Sequence, residues 1–259
     1  MESLGNDTEG QVMRIAVVDD DKIALEHIAR TLEANSLDME RRPDIQSFGT
    51  AKDFTRAAVR DTFDLVVLDW QLPDGDGITL LGWMKSFFEM PPAVIMLTNR
   101  QAEADVVEAL SAGAEDFISK PYRPKELQAR VMAVLRRKNA HTSLGNKAGG
   151  VIQHGNIQID LGREAIFVNS AEIKLTRQEY RLAYQLFSQL GCPLSRSYLY
   201  EYVWGRADHP NSRTLDVHIY RVRKKLGLTA EYGWNLVSVY GYGYRLQAQG
   251  DEEAESVAG

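Results

Sequence analysis

The chain has 259 residues, 44% of them hydrophobic and 25% charged, a composition typical of globular proteins rather than of disordered or fibrous chains. Its one cysteine, Cys192, excludes an intrachain disulfide and a cysteine-based zinc site, and no apolar run approaches the roughly 20 residues that span a bilayer. Residues 1–137 carry a net charge of −8, residues 138–249 carry +6 and residues 250–259 carry −4, which indicates a regulatory or catalytic domain tethered to a polyanion binder. The polar, acidic segment 1–10 does not have the pattern of a secretory signal, so we expect a cytoplasmic protein without a membrane partner.

Short apolar runs alternate with helical patterns in the first half of the chain. The runs that we interpret as buried strands lie at 15–18, 45–48, 65–68, 93–97 and 117–118. The helical patterns lie near 22–34, 50–60, 78–88, 102–112 and 124–137. Gly113 is placed to end the fourth helix and Pro124 to begin the fifth. Five strand–helix units predict a flavodoxin-like, doubly wound α/β domain with a parallel sheet.

Polar side chains follow four of these strands, at the edge where a doubly wound sheet binds its ligands. They are Asp19, Asp20 and Asp21 after the first strand, Asp69 after the third, Thr98 after the fourth and Lys120 after the fifth. Clustered carboxylates need positive partners, and Lys120 together with a hard divalent cation such as Mg²⁺ would supply them. The chemistry that fits is the transfer of a phosphoryl group onto a carboxylate.

The second half of the chain has a different pattern. Residues 138–150 lack an apolar period and are rich in Gly, Asn and Ser, which predicts a flexible linker. The patterns that follow are alternating segments at 151–175, helices near 176–190, 196–204 and 212–226, and a hairpin at 236–246. They predict an α+β winged helix-turn-helix domain. We therefore expect domains at 13–137 and 151–247, followed by an acidic, disordered tail at 248–259.

The third helix of the second domain is basic, because residues 213–225 contain five basic residues and one acid. As a helix, it would bury one apolar face, made of Leu215, Ile219, Val222 and Leu226. Its remaining surface would present other side chains to a partner, namely Asp216, Val217, Tyr220, Arg221 and Lys224. A basic, exposed helix at this position of a helix-turn-helix predicts a reader of the DNA major groove.

Four stretches of the first half resemble the receiver domain of two-component response regulators, namely 15–21 (IAVVDDD), 64–77 (DLVVLDWQLPDGDG), 94–98 (VIMLT) and 117–127 (FISKPYRPKEL). The resemblance implies that a sensor histidine kinase is the partner and that Asp69 is the phosphoacceptor. It implies a Mg²⁺ site formed by Asp19, Asp20, Asp69 and the backbone carbonyl of Gln71. It also implies a set of phosphate-stabilising and switch residues, Lys120, Thr98 and Phe117. The Lys120–Pro121 bond would be cis.

The second half resembles the DNA-binding domain of winged-helix, OmpR/PhoB-type response regulators at 175–186, 199–205, 213–226 and 239–246. The resemblance implies double-stranded DNA as a partner, with RNA polymerase as a further one. The residues that it places on the DNA side are Arg213, Thr214, His218, Arg221 and Arg223, of which we expect His218 to contact a phosphate. In the wing, Tyr240 stands where an Arg is usual, and a tyrosine brings no charge to a narrow minor groove.

Family members often pair active receivers through the fourth helix, fifth strand and fifth helix. Carried over by position, Asp116 and Arg137 keep one ion pair across the two-fold axis, whereas Val106 and Ala112 replace the charged partners of Glu126 and Arg130. Val106 and Ala112 would enlarge the apolar patch on that face. We therefore expect a homodimer that phosphorylation favours and that forms partly without it.

Three other functions share some of these sequence features. A phosphatase using an aspartyl-phosphate is disfavoured, because Trp70 and Gln71 follow Asp69 where that class has an Asp-x-Asp motif. A nucleotide-binding regulator is disfavoured, because the chain has neither a G-x-G-x-x-G nor a P-loop motif. A DNA-binding regulator with a phosphorylation-independent receiver stays open, because Asn99 stands at the mouth of the phosphate site where receivers commonly have a small residue. We expect a regulator of transcription and not an enzyme.

Overall fold

The computed structural model describes residues 12–34, 42–99, 102–142, 150–205 and 212–249. These residues belong to two compact units, one within residues 1–138 and the other within residues 139–259. Residues 143–149 of the expected linker and residues 250–259 of the expected tail lie outside the described ranges. Among the described residues, no helix combines the length and the hydropathy that spanning a membrane requires.

The first unit is built on a five-stranded parallel sheet. The strands of this unit are β1 (Val12–Val18), β2 (Arg42–Phe48), β3 (Leu65–Asp69), β4 (Gln71–Leu72), β5 (Gly75–Asp76), β6 (Ala93–Thr98) and β7 (Asp116–Ser119). Strands β4 and β5 form a short hairpin outside the main sheet. The order across the main sheet is β2-β1-β3-β6-β7, and all its neighbours run parallel. The flavodoxin-like, doubly wound fold predicted from the apolar runs is therefore confirmed.

Five helices cover this sheet, namely α1 (Lys22–Glu33), α2 (Ala51–Ala58), α3 (Gly77–Phe87), α4 (Glu103–Ala112) and α5 (Pro124–Thr142). Side chains cap the first three at their N-termini, since Asp21, Thr50 and Asp76 each accept a bond from a first-turn amide. Gly113 ends α4 in the left-handed conformation, as predicted. The prediction for the end of α5 is wrong, because the helix continues through residues 138–142 of the expected linker. Extending an existing helix costs little even without an apolar period.

The inner strands β1, β3 and β6 are buried on both faces, because helices cover both faces of the sheet. Ile15 and Val17 of β1 belong to the apolar layer that contains residues of α1 and α5. Ala16 and Val18, which point the other way, belong to the layer that contains residues of α2, α3 and α4. These three strands are thus buried along most of their length, and the polar residues at the carboxyl ends of the sheet form the pocket described below.

The second unit begins with a four-stranded antiparallel sheet and continues with helices and a hairpin. Its elements are β8 (Val151–His154), β9 (Ile157–Asp160), β10 (Ala165–Val168), β11 (Ala171–Ile173), α6 (Arg177–Ser188), β12 (Leu194–Ser195), α7 (Arg196–Trp204), α8 (Ser212–Leu226), β13 (Trp234–Val239) and β14 (Gly243–Ala248). The hairpin β13–β14 pairs with β12 in a second sheet. The predicted winged helix-turn-helix fold is confirmed.

Helix α8 buries the apolar face that its sequence predicts, since Leu215, Ile219, Val222 and Leu226 are all buried in the core of this unit. The hairpin lies close to β12, because a Cβ atom at Gly243 would collide with the carbonyl oxygen of Leu194. The helix and the hairpin are therefore both fixed to one core.

Candidate functional site

Three carboxylates meet at the carboxyl edge of the parallel sheet. Asp19 follows β1 and Asp69 ends β3, and these two strands are direct neighbours, with Val18 paired to Leu68. Asp19, Asp20 and Asp69 each offer a carboxylate oxygen, and these oxygens lie within 4.8 Å of one another. The sequence predicts this juxtaposition, because adjacent parallel strands end at the same edge.

Lys120 joins this carboxylate cluster from the end of β7. Its Nζ donates to Asp19 Oδ2 at 2.6 Å and to Asp69 Oδ2 at 2.9 Å. Its backbone N–H donates to the Thr98 carbonyl at 2.7 Å, which ties Lys120 to the end of β6. The Lys120–Pro121 bond is cis, as the resemblance implies.

The pocket has more negative than positive charge. Burial raises the pKa of the Asp69 carboxyl above its ordinary value, and the hydrogen bond and charge of Lys120 offset only part of that increase. Burial lowers the pKa of Lys120, but its bonds to Asp19 and Asp69 outweigh burial and raise the pKa above the ordinary value. Three clustered carboxylates against one ammonium suit a hard divalent cation with oxygen ligands.

The loop after Asp69 is fixed at its base. The Gly77 N–H donates to the Trp70 carbonyl at 2.7 Å. A Cβ atom at Gly77 would collide with the carbonyl oxygen of Asp69, so this position has no room for a side chain. Gln71, whose carbonyl is the expected fourth metal ligand, pairs with Asp76 within the hairpin β4–β5. The loop therefore has a defined shape next to the carboxylate cluster.

Asp74, at the turn of this hairpin, is a residue that sequence reasoning missed. Its two carboxylate oxygens accept the backbone N–H groups of Ala51 and Lys52, each at 2.9 Å. These amides begin α2, and their bonds lower the pKa of Asp74. The Asp-Gly pair at 74–75 is a signal for a turn, but a turn signal does not say which helix the aspartate reaches.

Helix α8 presents a charged surface on the side opposite its buried face. The predicted DNA-contacting residues that are exposed on this helix are Arg213, Asp216, Val217, Tyr220, Arg221 and Lys224. Thr214, His218 and Arg223 are half-buried. Tyr240 is fully exposed at the turn of the hairpin β13–β14.

Three of the predicted DNA-contacting side chains bind within their own unit. Asp216 accepts from Arg196 Nη2 and from the Tyr244 hydroxyl, each at 2.5 Å. Arg223 Nη2 donates to the Leu236 carbonyl at 2.7 Å.

His218 is the third predicted DNA-contacting side chain that binds within its own unit. Its Nδ1 lies 2.9 Å from the Thr214 carbonyl oxygen, and its ring packs against Trp204. The bond between His218 and Thr214 lies within α8, whereas the other contacts hold α8 to α7 and to the hairpin. Helical spacing alone does not show the contacts with α7 and the hairpin, because those partners lie 13 to 28 residues away in the chain.

Two family models match the chain. The response regulator receiver domain matches residues 15–132, and the C-terminal domain of transcriptional regulatory proteins matches residues 170–246. The transcriptional regulatory protein PmrA of Pectobacterium parmentieri is 31% identical over 235 residues, which are 90% of this chain and 97% of that protein. The chain belongs to the two-component response regulators.

Other proteins are similar to this chain over most of their own length. The sensory transduction protein RegX3 of Mycobacterium tuberculosis is 36% identical to this response regulator over 195 residues, which are 75% of this chain and 82% of that protein. The solved structure of DrrB, a Thermotoga maritima OmpR/PhoB homolog, is 28% identical, covers 92% of this chain and 100% of its own, and has a TM-score of 0.43. The match to the C-terminal domain of transcriptional regulatory proteins agrees with the winged-helix second domain expected from the sequence, and the function as a transcriptional regulator is also the one expected.

The expected switch residues of the response regulator lie on neighbouring strands. Thr98 is buried at the end of β6, and Phe117 is half-buried on β7, where it packs against the core layer of α2, α3 and α4. Phe117 is paired with Met96 rather than with Thr98, which is paired with Ser119. Asn99, the departure from the receiver pattern, is exposed directly after Thr98.

The face expected to form the dimer contains ion pairs within one chain. Arg130 Nη1 lies 3.1 Å from Asp116 Oδ1, and its Nη2 lies 3.1 Å from Glu126 Oε1. Arg137 Nη2 donates to the Glu115 carbonyl at 3.4 Å rather than to Asp116. In a dimer, Arg137 of the second copy would therefore compete with Arg130 for the carboxylate of Asp116.

The apolar residues of this face also differ from expectation. Val106 and Ala112, which we expected to enlarge the apolar patch, are half-buried. The large apolar residues of α4 that are exposed are Val107, at 57%, and Leu110, at 47%. The apolar surface of α4 is therefore larger than the two substitutions alone indicate.

Proposed function

We propose that this response regulator accepts a phosphoryl group on Asp69 from a sensor histidine kinase and then controls transcription by binding DNA through α8. We assign residues 13–137 to the receiver domain and residues 151–247 to the DNA-binding domain. The observation that carries the proposal is the position of Asp69 among Asp19, Asp20 and Lys120 at the end of a buried sheet. Because the phosphoryl group ends on the protein itself, we propose a regulator rather than an enzyme with a separate substrate.

The chemistry follows from the pocket. A carboxylate oxygen of Asp69 forms the new bond to phosphorus, while the bond between phosphorus and the nitrogen of the donor histidine breaks. Asp19, Asp20, Asp69 and the Gln71 carbonyl would hold Mg²⁺, which would supply positive charge for the phosphoryl oxygens. Lys120 Nζ, already 2.9 Å from Asp69 Oδ2, is placed to donate to a phosphoryl oxygen on that carboxylate. The Thr98 hydroxyl is the second donor that we assign to this group.

Asp74→Ala is expected to weaken Mg²⁺ binding several-fold, because the hairpin that carries Gln71 loses its bonds to α2. Isothermal titration calorimetry of the full chain with MgCl₂ measures the affinity. The matched control is Thr50→Ala, which removes the side-chain cap of α2 but leaves Asp74 in place. An equal loss in both variants would mean that Asp74 serves only as a cap for α2.

The DNA interface that we propose is the exposed surface of α8. Arg221 and Lys224 are exposed one turn apart, and Arg213 extends the same positive charge toward the start of the helix. Asp216 and Arg223 support this surface through bonds to Arg196 and to the Leu236 carbonyl. Phosphate contacts would position the protein, and base contacts would set the sequence that it reads.

Arg221→Ala is expected to weaken binding to the preferred DNA by about 1–3 kcal/mol, because a bidentate arginine–base contact is worth that much. Fluorescence anisotropy with DNA enriched from a random library by the wild-type chain measures the loss. The matched control is Arg163→Ala, which removes an exposed arginine that lies between β9 and β10 and pairs with Glu172 of β11. If Arg221→Ala bound every DNA sequence as tightly as the wild type, α8 would not be the helix that reads the DNA sequence.

The dimer that we propose forms on the α4, β7 and α5 face when Asp69 is phosphorylated. Sedimentation of the full chain is expected to shift toward dimer when beryllofluoride, a phosphoryl mimic, is added. Surface ion pairs contribute only about 0–1 kcal/mol each, so Val107 and Leu110 should supply most of the binding energy. A monomer in both conditions contradicts the dimer, and an equal dimer in both favours a phosphorylation-independent receiver.

A further inference from the structure

Two large apolar side chains stand exposed in the middle of the basic surface of α8. Val217 is 45% exposed and Tyr220 is 60% exposed. Their spacing of three residues makes them neighbours on the helix surface. The core of the unit contacts the opposite face of α8, which is formed by Leu215, Ile219, Val222 and Leu226. Val217 and Tyr220 therefore form an apolar pair that is available to a ligand.

The charges around the apolar pair restrict which ligand fits. Arg213 precedes the pair, Arg221 and Lys224 follow it, and all three are exposed. Asp216, the acid of this helix, already binds Arg196 and Tyr244. A ligand for this surface must therefore carry dense negative charge and also present an apolar group between the charges.

Double-stranded DNA meets both conditions at thymine. The phosphates supply the negative charge, and the 5-methyl group of thymine is the apolar group that projects into the major groove. We infer that Val217 and Tyr220 contact thymine methyl groups, and that this response regulator selects DNA sites with thymine at the corresponding positions. The inference rests on the proposed DNA-binding function and names the base that the apolar pair reads.

Deoxyuridine provides the direct test, because it lacks only the methyl group of thymine and keeps the same hydrogen-bonding edge. DNA enriched from a random library by the wild-type chain is synthesised with each thymine replaced singly by deoxyuridine. Wild-type affinity is expected to fall about fourfold at one or more positions, which corresponds to ~0.8 kcal/mol per buried methyl-sized group. Val217→Ala and Tyr220→Ala should each bind the thymine probe more weakly and lose discrimination at one such position.

Lys224→Ala is the matched control, because it should weaken binding to the thymine and deoxyuridine probes equally and keep their ratio. Val217 and Tyr220 are exposed, and thermal unfolding checks that their replacement leaves the fold intact. Sequence-specific binding in which no thymine differs from deoxyuridine overturns the inference and leaves DNA binding standing. Discrimination that persists in both alanine variants also overturns it. A library in which no sequence is enriched removes the DNA-binding proposal and the inference together.

Discussion

Asp69→Asn is expected to abolish phosphorylation of the chain by acetyl phosphate and Mg²⁺. The amide keeps the shape of the carboxylate beside Lys120 but has no nucleophilic oxygen anion for phosphorus. Mass spectrometry of the intact chain and of its peptides measures the loss and locates the group in the wild type. Asp53→Asn, which changes an exposed carboxylate of α2, is the matched control and should be phosphorylated normally.

Two results would contradict this assignment of Asp69. The first is a phosphoryl group that persists in Asp69→Asn at the wild-type level, which would move the acceptor to another residue. The second is equal phosphorylation in the presence of EDTA, because three clustered carboxylates with one lysine need a cation before they accept more negative charge.

Arg14→Met is expected to lower the free energy of unfolding of the first unit by about 3–5 kcal/mol, the range for removing one partner of a buried ion pair. Arg14 is only 2% exposed, its Nη1 binds Asp61, and its Nε lies 3.7 Å from an oxygen of Asp44, which is 6% exposed. Methionine fills the space of the side chain but removes the positive charge that these two carboxylates face in the wild type. Urea unfolding measures the change, and hydrogen exchange of β1 and β3 amides assigns it to the first unit.

Arg30→Met is the control for Arg14→Met. Arg30 pairs with Glu26 on α1, and these side chains are 79% and 70% exposed. An exposed pair at this helical spacing is worth about 0.3–0.5 kcal/mol, so Arg30→Met should change stability little. A loss in Arg14→Met no larger than that of the control would show that the carboxylates do not depend on Arg14.

The carboxylate cluster could be predicted from the sequence because its geometry follows from local rules. Apolar runs define the strands, and a parallel sheet brings the residues after β1 and β3 to one edge. Asp19 and Asp69 therefore had to be neighbours once those two strands were adjacent. The end of α5 was less predictable, because helix propagation beyond Arg137 depends on small differences in free energy.

The bonds of Asp74, Arg14 and Asp216 could not be predicted in the same way. Asp74 binds amides 22 and 23 residues earlier, and Arg14 reaches Asp61 across 47 residues. By sequence alone, Asp74 is an ordinary turn residue, Arg14 is a polar residue within a strand and Asp216 is a residue of a helix surface. Their partners are fixed only when distant elements pack, so a pattern of neighbouring residues contains no signal for them.

Some side chains of α8 hold the helix in its domain and others are exposed to solvent, and this difference has a consequence for how the regulator can evolve. Asp216 and Arg223 fasten the helix to Arg196, Tyr244 and the Leu236 carbonyl, and changing them would disturb the scaffold. Side chains that point outward at positions 217, 220, 221 and 224 are exposed and leave that scaffold untouched when replaced. With α8 as the proposed DNA interface, single exchanges at these positions would change the DNA preference without a compensating change elsewhere in the domain. A duplicated copy of this chain would have a short mutational route to a separate set of target genes.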